Sequence, residues 1–417
     1  MIVPYGRPRR RWTWRQAGAL IGSAAVLGGV LVVAGVAVSL SRAAPCETVS
    51  PVETRAVAGR PPAAALQGHP VSAAPAGQDV VFVSLHGWTP GDTSGIQVLR
   101  RGPGGLQPAS LIPLPSSPAG LALSPDGRVL LAAVDGGVAV LDAGRAAAGD
   151  PSALQGIVPT GGGSGTSQLA IAGGRYLFTA DEAAGRVTVL ALPRIEAGDL
   201  GPAVQVAAIP VDMGPAGLGV SPDGRYVYVV SRVQRPALSL GPGDRMYGLL
   251  TSAGLPRRAG TLTVIDVRRL DLDPAAAVVV TVPAGCGPAR VAASPDGTTV
   301  WVTARLSNEL LAFRTDQLLA GHAAVPVARV PIPAAPEGLR LVRGGSVALV
   351  AGSEGGAAVN VVDTAAALSG RPAVLAAVAA GGLPREIDVT ADERTAYIAD
   401  NDTATLATLD LASLLGR

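Results

Sequence analysis

The chain has 417 residues, of which 48% are hydrophobic and only 3% aromatic, and its formal net charge is +2. Six of the 33 basic residues are arginines that precede the first acidic residue, Glu47, so the remaining 27 basic residues stand against 31 acidic ones. The part of the chain after Glu47 is therefore weakly acidic. This balance argues against general nucleic-acid binding.

The amino-terminal residues predict a membrane anchor. Residues 17–40 carry no charge over 24 residues, more than the roughly 20 needed to span a bilayer as a helix. Arginines precede this segment, and positive residues favour the cytoplasmic side. The prediction is a cytoplasmic tail (1–15), a single transmembrane signal anchor (16–41) in the cell membrane, and an extracytoplasmic remainder. A signal peptide cleaved near "SRAA" (41–44) is the alternative.

The two cysteines, Cys46 and Cys286, both fall on the extracytoplasmic side of this topology. Disulfides form in that environment. The sequence does not give the distance between the two residues, so a disulfide and two unpaired thiols both stay open.

A repeat with a period close to 48 residues fills the rest of the chain. The turn sequence SPDG occurs at 124–127, 221–224 and 294–297, each time six residues after a proline and before an apolar run. Steps of 48 residues find further units of the same kind. The units start near residues 70, 118, 166, 215, 288, 336 and 384, with an insertion at 233–259 in the fourth. A period of about 40 to 50 residues filled with short strands is typical of propeller blades.

The predicted fold class is all-β: a seven-bladed β-propeller of four-stranded antiparallel blades, A to D, over residues 68–417, preceded by the transmembrane helix. A large residue recurs at one position of strand B and is predicted to pack between blades: Phe82, Leu131, Phe178, Tyr228, Trp301, Leu349 and Tyr397. The last unit lacks a strand D. Residues 50–59, within a linker at 42–67, are predicted to supply it and close the ring.

The fourth unit, with "SPDGRYVYVVS" and "TLTVIDV", resembles the YVTN-type seven-bladed β-propellers, and the fifth and seventh units resemble them less closely. The resemblance covers about residues 68–414. It implies the propeller fold and is compatible with binding proteins, surface proteins and lactonase-like enzymes. The family's asparagine is mostly replaced here, by Asp181, Ser231, Ala304 and Asp400.

Two sets of polar residues are candidate ligand-binding groups. Strand A, which lines the channel of a propeller, is charged only in the last three units, at Arg290, Glu337, Arg340, Arg385, Glu386 and Asp388. The end of strand B is polar in every unit, at His86, Asp135, Glu182, Arg232, Arg305, Ser353 and Asn401. The alternatives are ion pairs between blades, for example Arg340 with Asp388, for the first set and a solvated rim for the second.

Metal and cofactor sites are not predicted, because the three histidines, His69, His86 and His322, lie in distant units. The favoured hypothesis is a binding or scaffold module of the cell envelope whose partner is an envelope protein or a small polar ligand. The insertion at 233–259, rich in arginine, is predicted to contact an anionic or envelope partner. The alternative is a lactonase-like hydrolase with Glu386 or Asp388 as general base and Arg290 or Arg385 as oxyanion stabiliser.

Overall fold

Short strands rich in valine, alanine and leucine pair into seven antiparallel sheets. The computed structural model describes residues 49, 54–57, 59–89, 91–161, 165–233, 259–321, 324–333, 335–353 and 357–416. Each sheet has four antiparallel strands ordered A-B-C-D, one sheet has a fifth strand in addition, and the A strands of successive sheets contact one another in a ring that closes from blade 7 to blade 1. The predicted seven-bladed propeller is confirmed.

Within each sheet the strands follow one another from A, at the centre of the ring, to D, at its outside. The A strands, at the centre, are His69–Ala76, Leu121–Leu123, Thr166–Ala172, Met213–Val220, Pro288–Ala293, Pro336–Val342 and Pro384–Val389. The B strands are Val80–His86, Val129–Val134, Tyr176–Asp181, Tyr226–Val233, Thr299–Ala304, Val347–Gly352 and Thr395–Asp400. The C strands are Gly95–Gly102, Gly137–Asp142, Arg186–Ala191, Thr261–Asp266, Glu309–Arg314, Ala358–Asp363 and Thr405–Asp410. The outer D strands are Gly105–Pro113, Leu154–Pro159, Gln205–Pro210, Val278–Pro283, Ala328–Pro331, Val374–Ala379 and, for blade 7, Ala63–Ala65.

Short helices follow the C strands of blades 2 to 7. The α-helices are Ala143–Ala148, Leu192–Glu196, Thr315–Leu319, Thr364–Leu368 and Leu411–Leu415, and the 3₁₀ turns are Pro151–Ala153, Pro202–Val204, Val267–Arg269 and Pro274–Ala277. An aspartate at the end of strand C accepts hydrogen bonds from the first turn in four of them: Asp142, Asp266, Asp363 and Asp410. These aspartates satisfy backbone N–H groups that the helix itself leaves unpaired.

The core lies between the blades. The seven large strand B residues that the sequence predicts as packing residues, from Phe82 to Tyr397, are each at most 1% exposed. Each blade face is covered by the next blade, so both faces of the B and C strands are buried. This explains why these strands are nearly continuous apolar runs.

Ring closure differs from the sequence prediction. The strand that completes blade 7 is Ala63–Ala65, which pairs antiparallel with Thr405–Asp410, and not residues 50–59. Within 50–59, Ala56–Val57 pairs parallel with Val374–Ala379 and adds a fifth strand to blade 6. The prediction was wrong in position because three consecutive alanines carry little strand signal.

Three parts of the sequence analysis concern residues outside the described ranges. They are the transmembrane helix predicted at 16–41, the partner contact predicted for the insertion after Val233, and the pairing of Cys46. Across the described ranges, no helix has the length and apolar character needed to cross a membrane. Cys286 is buried and disulfide-bonded. Nearby, Val49 donates a backbone hydrogen bond to the carbonyl of Ser307, and the Ser307 hydroxyl accepts one from the Cys286 amide.

Candidate functional site

The third residues of the seven repeats, counted from each starting position, form a ring around the channel in which glycines alternate with larger residues. Blades 2, 4 and 6 have glycine there, whereas blades 1, 3, 5 and 7 have polar residues; the seven are Ser72, Gly120, Gln168, Gly217, Arg290, Gly338 and Glu386. A Cβ atom on Gly217 would lie 2.5 Å from the carbonyl oxygen of Ala289 on blade 5. The glycines therefore let neighbouring A strands approach closely, and at this repeat position only blades 1, 3, 5 and 7 carry a side chain.

Three of these side chains meet across the channel. Arg290 Nε donates to Glu386 Oε2 at 2.5 Å, and Gln168 Nε2 donates to the same oxygen at 3.0 Å. These residues belong to blades 3, 5 and 7, which are not neighbours in the ring, so the contacts span the channel. We call Gln168, Arg290 and Glu386 the cross-channel cluster.

The cross-channel cluster is buried, and most of its polar atoms have hydrogen-bond partners. The side chains of Arg290 and Glu386 are 12% and 3% exposed. Arg290 also donates to the carbonyl oxygens of Ala216 and Ala289, at 3.1 and 2.9 Å. The other carboxylate oxygen, Glu386 Oε1, is buried and has no hydrogen-bond partner among the described residues. An acceptor in this state costs free energy unless a partner satisfies it.

A second ion pair lies two residues further along the A strands. Arg340 on blade 6 contacts Asp388 on blade 7 at 2.6 Å, and Asp388 Oδ2 also accepts the backbone N–H of Ala73 at 2.9 Å. Burial raises the pKa of Asp388, and the Arg340 guanidinium opposes that rise. The inter-blade pairing that the sequence offered as an alternative for these two residues is therefore observed.

A β-bulge in the A–B ladder sets the direction of the residues that begin the A strands. The register skips a residue between Pro384 and Glu386 in blade 7, and skips between Pro336 and Leu339 in blade 6. Arg385 and Glu337 occupy these skipped positions. Bulges commonly re-aim a side chain near functional sites. Here they accompany two charged side chains at the end of the channel where A strands begin and B strands end.

We call that end of the channel the mouth, and define it by Arg385, Glu337, Arg305, Arg232, His86 and Trp88. Glu337 Oε1 lies 3.7 Å from Arg385 Nη1, and its Oε2 lies 3.7 Å from Arg305 Nε. The Arg385 guanidinium lies 5.1 Å from the centre of the Trp88 ring, and the His86 ring is 4.2 Å from Trp88. Trp88 is 52% exposed, so an aromatic surface reaches solvent here.

The polar residues that end strand B contact the next blade in several cases. His86 Nδ1 lies 3.2 Å from the Pro118 carbonyl oxygen on blade 2, and Asn401 donates to the Pro70 carbonyl oxygen on blade 1 at 3.1 Å. Arg232 pairs with Glu182 of the preceding blade. Burial lowers the pKa of His86 despite its contact with Pro118 and the charge of Asp135, and Arg385 lowers it further. These side chains connect blades as well as line the rim.

The nine predicted site residues thus separate into three levels. Arg385, Glu337, Arg305, Arg232 and His86 lie at the mouth, Arg290 and Glu386 lie in the cross-channel cluster, and Arg340 and Asp388 lie deeper. The sequence reasoning missed Gln168 and Trp88. Gln168 has a signal, since it occupies the same repeat position as Arg290 and Glu386. Trp88 has one too, because it stands in a loop of a chain with few aromatic residues.

No group of three or more histidine, cysteine, aspartate or glutamate side chains suited to a metal ion occurs within the described ranges.

Comparisons with known proteins give the fold. No protein-family model matches the chain, and no curated protein matches it. The YVTN-type resemblance therefore stays a prediction. Among solved structures, a chain of hydrazine synthase from Kuenenia stuttgartiensis is similar, with 16% identity, a TM-score of 0.62, and coverage of 87% of this chain and 99% of that one.

Two candidate 6-phosphogluconolactonases are also similar. The protein from Bacteroides uniformis has 17% identity and a TM-score of 0.56, covering 82% of this chain and 94% of that one. The protein from Bacteroides fragilis has 14% identity and a TM-score of 0.59, covering 81% and 92%. At these identities the likeness establishes a shared propeller fold, and a propeller fold hosts many functions.

Proposed function

We propose that this protein is a membrane-anchored, extracytoplasmic β-propeller that binds a polar ligand or an envelope protein at the mouth of its channel. The observation that carries the proposal is the mouth itself: charged and aromatic side chains from blades 1, 4, 5, 6 and 7 meet there beside a half-exposed Trp88. The anchor rests on the uncharged segment 17–40 and the arginines before it.

Site-specific photo-crosslinking in the native host tests the binding site. A photo-crosslinking phenylalanine derivative in place of Trp88 is expected to capture envelope material. The matched control replaces Arg128, which is 80% exposed in an A–B turn at the opposite end of strand B. The same adducts from both positions, or none from position 88, would contradict the proposal.

The anchor is tested separately by fractionation. The full chain is expected to stay in the membrane fraction after an alkaline wash and to be digested by protease added outside the cell. Deletion of residues 16–41 is expected to release it. Full-length protein recovered from the soluble fraction would remove the anchor from the proposal and leave the binding site untouched.

The alternative function, a lactonase-like hydrolase, draws support only from the folds of the two candidate lactonases. A general base must reach the proton that it abstracts. Glu386 is held by Arg290 and Gln168, and Asp388 by Arg340 and the Ala73 amide, so both carboxylates already have structural partners. We expect the purified full chain to show no turnover on a panel of lactones. Turnover that is abolished by Glu386→Gln would reverse this choice.

A further inference from the structure

Arg385 differs from the other arginines of the channel in its hydrogen bonding. Arg290 is hydrogen-bonded to Glu386, Ala216 and Ala289, and Arg340 to Asp388. Arg385 donates no hydrogen bond to any described residue, and its Nε is buried without a partner. Its nearest carboxylate oxygen, on Glu337, lies at 3.7 Å, beyond hydrogen-bond range.

This guanidinium is held in place although its donors are unused. One face lies over the Trp88 ring at 5.1 Å, and the His86 ring contacts Trp88 in turn. The Arg385 side chain is 26% exposed. A guanidinium presents a rigid fork of N–H donors that matches a carboxylate in bidentate geometry. The stacked, partly open arrangement keeps that fork ordered before a ligand arrives, which lowers the entropic cost of binding.

The described charged groups that act on Arg385 are mostly positive. They are the guanidinium groups of Arg232, Arg290 and Arg305, opposed by the carboxylate of Glu337. A ligand at Arg385 is therefore expected to be an anion.

Two further titratable groups, His86 and Asp135, lie at this end of the B strands. Burial lowers the pKa of His86, which disfavours its charged form. Asp135, on blade 2, accepts a hydrogen bond from the Gly165 amide. Burial and the neighbouring arginines also lower the pKa of Arg385, although Glu337 opposes this. An anion beside Arg385 would relieve that repulsion.

We propose that the mouth binds a small organic monocarboxylate, whose two oxygens accept two parallel N–H groups of Arg385 while its apolar part lies against Trp88. A dianion such as phosphate would bring its second negative charge close to the Glu337 carboxylate, which lies 3.7 Å from Arg385. This inference rests on the proposed function, since it names the ligand class of the same site.

Calorimetric titration of the full chain, purified in detergent at pH 7.5, tests the inference. The probes are benzoate and acetate as monocarboxylates and inorganic phosphate as a dianion. Benzoate is expected to bind most tightly and phosphate most weakly. Arg385→Gln is expected to weaken benzoate binding by about 10- to 100-fold, the range for loss of a charge-assisted hydrogen-bond pair. Arg385→Lys keeps the charge without the fork and is expected to weaken binding by about 10-fold.

The matched control is Arg329→Gln, which removes an arginine paired with Glu309 on the outer strands of blade 5 and should leave binding unchanged. Thermal melting shows whether each variant is folded. Unchanged benzoate affinity in folded Arg385→Gln, tighter binding of phosphate than of benzoate, or no binding of any probe would overturn the inference. If carboxylates fail while position 88 still crosslinks envelope material, the ligand class is wrong and the binding function stands.

Discussion

At the residue scale, the cross-channel cluster concentrates charge in a buried place. Removing one partner of a buried ion pair leaves the other uncompensated and typically costs 3 to 5 kcal/mol. Arg290 keeps two carbonyl acceptors when Glu386 is changed, so we expect Glu386→Gln to lower the free energy of unfolding by about 3 kcal/mol. Urea denaturation measures this.

The control for that variant is an exposed pair of the same type. Arg314 and Asp316 are 3.1 Å apart, and both side chains are more than half exposed. Solvent screens such a pair, so Arg314→Gln should cost less than about 1 kcal/mol. Equal losses in the two variants would mean that the cross-channel cluster contributes no more than a surface contact.

The alternating glycines make a second prediction at this scale. Gly217→Ala places a methyl group 2.5 Å from the Ala289 carbonyl oxygen, so the A strands of blades 4 and 5 must separate. Overpacking of this kind typically costs 1 to 3 kcal/mol, and we expect about 2 kcal/mol by urea denaturation. Gly104→Ala is the control, since a Cβ there meets nothing within 4 Å. A comparable loss at Gly104 would show that glycine content matters and the close approach does not.

The site could be predicted from sequence only in part, for reasons that these residues illustrate. Their charge allowed six strand A residues to be predicted as one set: Arg290, Glu337, Arg340, Arg385, Glu386 and Asp388. In the structure, Arg290 pairs with Glu386 and Arg340 pairs with Asp388. Gln168 was missed because a single neutral amide in a strand gives no charge pattern. Which arginine would lack hydrogen bonds depends on distances between blades, and a linear pattern does not contain those distances.

At the element scale, the SPDG turns are built by one set of hydrogen bonds. In blade 2, Ser124 Oγ donates to Asp126 at 2.6 Å and accepts the Val129 amide, while Gly127 adopts φ +72°. The same bonds recur at Ser221 and Ser294. Blade 7 reproduces them with threonine and glutamate, at Thr390 and Glu393. The repeat therefore preserves a geometry that several sequences satisfy.

The aspartates of these turns predict how the stability of the protein depends on pH. The Ser124 hydroxyl, the Arg128 amide and the Arg128 side chain lower the pKa of Asp126 to about 2, and equivalent contacts lower the pKa of Asp223, Asp296 and Asp392. A carboxyl whose pKa is lower when folded stabilises the fold above its unfolded pKa, and this contribution is lost as the pH falls through the folded value. The melting temperature should therefore fall between about pH 4 and pH 2.

A triple variant isolates that contribution. With asparagine at positions 126, 223 and 296, the melting temperature should be lower than that of the unmodified protein at pH 7, and the difference should shrink towards pH 2. Calorimetry across this pH range provides the measurement. A difference that is constant with pH would mean that the three carboxylates act by shape alone.

At the scale of the whole molecule, the repeat period was enough to predict the number of blades, because each blade must stack on a neighbour to bury its apolar faces. The sequence correctly predicted that a segment before blade 1 completes blade 7, but it placed that strand at 50–59 instead of Ala63–Ala65. The chain before blade 1 contacts blade 5 at Ser307, pairs with blade 6 through Ala56–Val57 and completes blade 7 through Ala63–Ala65. It therefore runs along the three blades whose A strands carry the charged residues of the channel.

The closing strand tests whether the ring is one cooperative unit. Ala64 is 8% exposed and packs in a cluster with Leu406, Tyr397 and Val83, so it joins blade 7 to blade 1. Its neighbours Ala63 and Ala65 are exposed on the same strand. We expect Ala64→Asp to place a carboxylate in an apolar contact and lower the melting temperature by several degrees, since an unpaired buried charge is strongly unfavourable.

Ala65→Asp, with the same charge on the solvent side of the strand, should shift the melting temperature little. If the ring unfolds as one unit, Ala64→Asp should also keep a single transition in calorimetry, because opening the seam exposes faces of blades 1 and 7 that no other blade covers. Two separated transitions would show that the seam opens on its own while the other blades stay folded. Equal shifts in the two variants would mean that Ala63–Ala65 is not needed to hold the ring closed.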